Sequence, residues 1–183
     1  MVHGIVIPAA AEEPLKPRQL ARLEDYQAAV GGWIEAVDVP TLGVTIYVNE
    51  EGLLRQLPFN SRVSFLWWHH VPGARQKAML VGDAVLVGLP DRNGDSTDVP
   101  KEVIDTLMHP GHWRVEVRVA DDSKWYRNQV TYRDYFDALV WAMVTLERWT
   151  MAQEVRVVAV DDEQDQIAPT PSSDPARKAP PAA

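Results

Sequence analysis

The chain contains no cysteine in its 183 residues. That excludes a disulfide-stapled module, a thiolate zinc site, a redox pair and a cysteine nucleophile. It also lacks any apolar run near the ~18 residues a membrane-spanning helix needs, so no membrane association is expected. Positive charge is scarce: 18 Lys and Arg stand against 26 Asp and Glu, a formal net charge of −8. Direct nucleic-acid binding is therefore not expected, because such affinity rests on Lys and Arg at phosphates. Met1 to Ala11 has neither a basic stretch nor a long apolar run, so no signal peptide is expected and the cytoplasm is the expected compartment. The two glycine-rich phosphate-binding patterns and the G-x-S-x-G nucleophile elbow are missing as well. What remains is ordinary globular composition, 46% hydrophobic and 24% charged, in a chain long enough for one domain or two small ones.

The fold class expected from the pattern is α+β: two small sheet-plus-helix units and a tail. Residues 1–90 read as an N-terminal mixed α/β domain, 91–109 as a loop and connecting helix, 110–160 as a β-β-α-β unit. From Asp161 to Ala183 there are five prolines, and five acids face two bases, so this stretch carries −3 and leaves −5 on residues 1–160. With so little apolar area to bury it is expected to be a disordered Pro-rich tail.

Within the first part, Gly4 to Pro8 reads as a strand. Pro17 suits the first position of a helix, with Leu20, Leu23, Gln27 and Val30 at helical spacing and Gly31-Gly32 as its stop. Trp33 to Val37 and Val44 to Val48 read as strands. Asn49 to Gly52 is a turn, after which Leu53 to Leu57 is expected to pair back as a hairpin. Ser61 to His70 is expected to be a helix, and Met79 to Gly88 is strand-rich, with a turn at Gly82-Asp83. Val99 to Met108 reads as a helix with Asp98 as its cap. Further on, Trp113, Val115, Val117 and Val119 alternate with charged residues, the period of a half-buried strand. Trp125 to Val130 returns as a second strand. Thr131 and Asp134 resemble a capping box ahead of a helix marked by Phe136, Leu139, Val140, Met143 and Leu146, and Val155 to Val160 closes the unit.

The candidate chemistry is thin. Asp91, Asn93, Asp95 and Glu102 fill the oxygen-bearing positions of a calcium loop, but Ser96 stands where that loop needs glycine and Pro90 blocks the incoming helix, so the expected reading is a solvated acidic loop. His109 and His112 are separated by Pro110-Gly111, so no helix presents them together, and neighbouring His69 and His70 diverge on any regular element; no metal is assigned. Glu50 and Glu51 occupy a turn tip, where adjacent carboxylates usually face water. No residue is assigned a catalytic role and no cofactor is implied. Tryptophan is the exception, at seven residues. Core filling explains Trp113 and Trp141. It explains the pair Trp67-Trp68 less well, since two neighbours cannot both face one core. Phe65, Trp67, Trp68, His69 and His70, with Glu50 and Glu51, are the candidate ligand- or partner-binding residues.

Several segments taken together resemble one family. They are Ile5-Val6-Ile7-Pro8, Val30-Gly31-Gly32-Trp33-Ile34-Glu35-Ala36-Val37, Tyr47-Val48-Asn49-Glu50-Glu51-Gly52, Leu57-Pro58-Phe59-Asn60 and Val81 to Gly88. In this order they resemble the uncharacterised family called domain of unknown function 3846, over roughly residues 3–90. The resemblance implies a source among actinobacteria, their plasmids or their phages. It implies no activity, cofactor or site residue.

The expected function is that of a non-enzymatic accessory protein of a mobile element, acting by binding a protein partner or itself. DNA mimicry is a weaker version, because −5 on the ordered part is mild. The alternative is a small-ligand or nucleotide-binding protein, with aromatic stacking and with Arg62, Arg75 or Lys77 meeting phosphate. An enzyme is the least supported class.

Overall fold

Strand alternation builds the first unit. In the computed structural model, which describes residues 1–75 and 77–160, Val2–Ile7 (β1), Lys16–Leu20 (β2), Ile34–Val39 (β3), Val44–Asn49 (β4) and Ala84–Gly88 (β5) form one sheet in the order β2-β1-β5-β4-β3. Every neighbouring pair is antiparallel. The central strands are apolar on both faces. Val6, Val85 and Val87 turn to one side, where Leu23–Val30 (α1) lays Tyr26 and Val30 on them. Ile5, Ile7, Val44, Ile46, Val48 and Leu86 turn to the other side and are all buried. Val63 and Leu66 of Ser61–His70 (α2) are completely buried with this second layer. Lys101–Leu107 (α3) follows β5 and the loop after it.

Three expectations for this unit are corrected. The segment at Pro17 is a strand, not a helix start. Leu20 is buried against the sheet, and Pro17 lies on the outermost strand, where a missing N–H removes no essential ladder bond. The helix begins at Leu23 instead, after the Asp25 carboxylate accepts the N–H groups of Ala21 (2.7 Å) and Arg22 (2.9 Å). Those two bonds stabilise the ionised carboxylate and hold its pKa below the usual range. Gly31 ends the helix at φ +74°, the left-handed conformation glycine adopts without penalty. Leu53 to Leu57 is also not a strand. The hairpin partner of β4 is β3, joined through Pro40 to Gly43, whose N–H meets the Pro40 carbonyl at 3.1 Å. Asp98 does not cap α3 either: its carboxylate accepts the His3 backbone N–H at 2.7 Å, and no side chain caps that helix.

The chain divides into two compact units, Met1–His109 and Pro110–Ala183. The described part of the second is a β-β-α-β arrangement. His112–Val119 (β6) is the middle strand between Trp125–Arg127 (β7) and Ala152–Val160 (β8), all antiparallel. Tyr135–Arg148 (α4) covers one face, closing a core of Trp113, Val115, Val117, Ala138, Ala142 and Val155. Its N-cap is Asp134, whose carboxylate accepts the N–H of Phe136 (2.7 Å) and Asp137 (3.2 Å), so the box expected from Thr131 does not form. β7 stops at Arg127, short of the expected Val130. The other sheet face is polar. Buried Glu116 accepts bonds from Arg114 (3.2 Å) and Arg156 (2.6 Å), and the Arg156 guanidinium lies 4.1 Å from the Trp125 ring centre. The chain is thus α+β with two antiparallel sheets, and no helix among the described residues is long and apolar enough to cross a membrane. The expected tail at 161–183 lies outside the described residues.

Candidate functional site

Helix α2 places most of the expected site residues. It is anchored at its start by Asn60, whose side-chain amide donates to the Ile7 carbonyl (3.0 Å) and the Gly82 carbonyl (2.9 Å). The same side chain accepts the Val63 N–H at 3.3 Å as an N-cap. One turn on, the Ser64 hydroxyl bonds both backbone groups of Leu80. With Arg62, Val63, Ser64 and Leu66 turned inward, Phe65, Trp67, Trp68, His69 and His70 fall on the outer arc, all half-buried. Trp68 is held firmly. It meets Phe65 edge-on at 5.2 Å, stacks against Phe59 at 6.2 Å, and donates its indole N–H to the Ala78 carbonyl at 2.8 Å. Its role is therefore to fasten α2 to the segment after it, while Trp67 makes none of these ring contacts.

His69 and His70 close the helix with rings edge-on at 5.0 Å. Burial pushes both imidazoles down, His70 from 6.5 to about 4, with His69 adding repulsion, and His69 with Arg75 adding repulsion. The charged form is disfavoured in the folded state, so an unfolded chain takes up the proton that the folded chain refuses. Stability is then complete above pH 6.5 and falls as the pH drops from 6.5 toward about 4. His70→Phe is expected to flatten that dependence. Urea midpoints measured across this pH range check it; an unchanged slope in the variant would remove His70 as the cause.

Glu50 and Glu51 lie at the opposite end of α2. The Asn49 side chain reaches back to the Val30 carbonyl (3.2 Å) and accepts the Glu51 N–H (2.9 Å), while the Glu50 N–H meets the Trp33 carbonyl (2.9 Å). That turn sits with Gly52 against Val81, near the Asn60 anchor. The other helix end is at Thr41, whose hydroxyl donates to the His70 carbonyl at 3.4 Å. Ten helical residues span ~15 Å, so the acids and the histidines form no common site.

The turn that carries the acids displays something else. Its backbone closes on itself, with Arg55 N–H to the Glu51 carbonyl and Leu57 N–H to the Gly52 carbonyl, and Arg55 reaches the Gly31 carbonyl at 2.7 Å. Leu53 and Leu54 are thereby turned outward, 65% and 86% exposed, beside Trp33 at 63% and Phe59 at 42%. Phe59 pairs with Val81 and stacks on Trp68, which is tied to Ala78 next to exposed Met79. One end of the first sheet thus exposes four apolar side chains, on segments tied together by Glu50 N–H to the Trp33 carbonyl, by Arg55 to Gly31 and by the Phe59–Val81 bridge. This exposure was missed in the sequence because Trp33 and Leu53 to Leu57 both read as strand residues. The available signal was that Trp33 follows the Gly31-Gly32 stop and Leu53-Leu54 follows Gly52.

Arg62 and the Asp91 loop are accounted for within the fold. Arg62 does not meet phosphate: it is buried and donates to the carbonyls of Ala10 and Glu13. The Asp91 carboxylate accepts the N–H groups of Asn93 (2.8 Å) and Asp95 (3.0 Å), and these bonds hold its pKa low. Among the described residues no three or more His, Asp or Glu side chains gather as a metal would require. A cleft of about 400 Å³ runs between β2 and α1, lined by Lys16, Arg18, Leu20, Asp25 and Ala29 among others. Its Lys16 pairs with Glu13 at 2.5 Å and its Asp25 is engaged with backbone.

The fold and these surfaces define an antiparallel α+β protein with exposed apolar side chains at one end of its first sheet. Residues 3–112 match the family described as Domain of unknown function (DUF3846), and the chain belongs to that family. The match reaches beyond the strands of the first sheet to take in the loop after β5 and α3. No curated protein and no solved structure matches the chain.

Proposed function

We propose that this protein is a non-enzymatic accessory protein that binds a protein partner through the apolar end of its first sheet. The observation that carries this is the joint exposure of Trp33, Leu53, Leu54 and Phe59. Exposed apolar side chains gathered at one end of a sheet mark interaction sites, and Trp is among the residues most enriched in binding hot spots. The rim is acidic, with Glu50 and Glu51 exposed on the same turn, and residues 1–109 hold nine bases against fourteen acids. The partner's complementary surface is accordingly apolar at its centre and ringed by Lys and Arg. The family resemblance supports an actinobacterial plasmid or phage as the source.

Trp33→Ala combined with Leu54→Ser tests this. Both side chains are exposed, so the variant is expected to keep its melting temperature. Against the purified partner, calorimetry should show affinity reduced by about thirtyfold or more, corresponding to the ~2 kcal/mol of a single hot-spot residue. Undiminished affinity in the folded variant would remove the surface from the interaction.

The cleft between β2 and α1 favours a second reading, a small anionic ligand held near Lys16 and Arg18. Calorimetric titration with a panel of nucleotides separates the two, since flat titrations eliminate the ligand reading and leave the protein surface untouched.

A further inference from the structure

Among the described residues four strands stand at the edge of a sheet: β2 and β3 in the first, β7 and β8 in the second. Open edges invite pairing with another chain, and proteins ordinarily blunt them with charged side chains, proline, bulges or short length. Three of these edges are blunted. β2 carries Pro17 between Lys16 and Arg18, β3 carries only acids, Glu35 and Asp38, and β7 is three residues long. β8 is nine residues long, contains four valines and has neither proline nor glycine; its register shift lies at Gln153, and the charges after it, Glu154 and Arg156, are of opposite sign, so they do not repel a second copy.

We propose that β8 pairs antiparallel with β8 of a second copy of this chain, about a two-fold axis through Val155. In this register Glu154 lies opposite Arg156 of the second copy, and the same pair recurs across the axis. The regular part of this seam is Glu154 to Arg156, because the β6–β8 register shifts by one residue at Gln153 and puts Ala152 on the Val119 side of the sheet; within it each side chain keeps to its own face. Directly opposed residues lie ~5 Å apart, within reach of side chains that are 49% (Glu154) and 47% (Arg156) exposed.

The seam continues a pattern already present inside each copy. Across the sheet, Arg118 stands opposite Glu154, and Glu116 stands opposite Arg156. Each pair is joined by an ion pair. Pairing about Val155 therefore produces two rows that read Arg118, Glu154, Arg156, Glu116, with alternating sign throughout. Shifting the axis to Arg156 would set arginine against arginine. Shifting it to Val157 leaves Glu154 opposite Val160 with no cation. Residues 110–160 contain seven bases and seven acids, so the two units bring no net charge together. The axis keeps both copies of α4, which lies across β6 and β8, on one face of a six-stranded sheet.

Light scattering on the size-separated full chain tests the pairing, with the mass of two chains expected. Glu154→Arg places arginine beside Arg156 twice, and Arg156→Glu places glutamate beside Glu154 twice. Each variant alone should raise the dimer dissociation constant by at least about tenfold and run at the mass of one chain. An equimolar mixture should return to two chains, because each contact then regains opposite charge. A single-chain mass for the wild type at every concentration overturns the proposal. So does a dimer kept by both variants, or a mixture of the two folded variants that stays monomeric. Amide exchange in wild-type β8 reads the same contact without substitution. Protection should rise with protein concentration, and concentration-independent exchange overturns the pairing.

Discussion

Asn60→Ala is expected to destabilise the first unit by on the order of 4 kcal/mol, several times what a lost helix cap costs. An N-cap alone is worth about 1 kcal/mol. Here one fully buried side chain serves three backbone groups: the carbonyls of Ile7 and Gly82 and the N–H of Val63. Truncation strands all three where water does not reach, and each buried unsatisfied group costs about 1–3 kcal/mol. Asn60→Asp should be no milder. It keeps the cap acceptor but turns a carboxylate oxygen toward two carbonyls that need a donor. Urea denaturation of the full chain measures the effect. A loss near 1 kcal/mol would mean that Asn60 acts as a cap alone and that α2 is held by Val63 and Leu66.

Trp113→Ala is expected to unfold the 110–160 unit. The indole is buried in the small core beneath α4 and meets Tyr135 edge-on at 5.1 Å. Removing a buried aromatic costs about 3–5 kcal/mol. A core under a three-stranded sheet and one helix supplies a similar amount in total, about 3–5 kcal/mol for units below 70 residues. The expected result is loss of slow-exchanging amides in β6 and β8 at room temperature. Retained protection in the variant would show that the unit draws its stability from beyond this cluster.

The sequence was most legible where one residue period decided the outcome. The alternation from Trp113 to Val119 identified β6, and the apolar stripe through Phe136, Leu139 and Met143 identified α4. Ser61 to His70 forms the expected helix although Val63, Phe65 and Trp67 also fit a strand's alternation; the cap that Asn60 places on its first turn was not read from the sequence. The site was less legible. Phe65 and Trp68 do meet on one helical arc, as residues three apart must. The separation of Glu50 and Glu51 from His69 and His70 followed from where Asn60 and Thr41 tie down the two ends of α2, and neither tie leaves a mark in local spacing.

Composition and periodicity thus determined by themselves that the chain is α+β, that thiol chemistry is absent, and that Gly31 ends a helix. Its motif set further placed it in its family. Each of these depends on residues within a few positions of one another. Only the tertiary structure decided that Lys16–Leu20 is an edge strand, that Arg62 holds a loop, and that Trp33, Leu53 and Leu54 face water together. Those outcomes depend on pairing across long stretches of chain: Leu20 finds Val2, Arg62 finds Glu13, Arg55 finds Gly31. The energy of such contacts belongs to the assembled sheet, so the same local pattern is compatible with burial or exposure until the neighbours are in place.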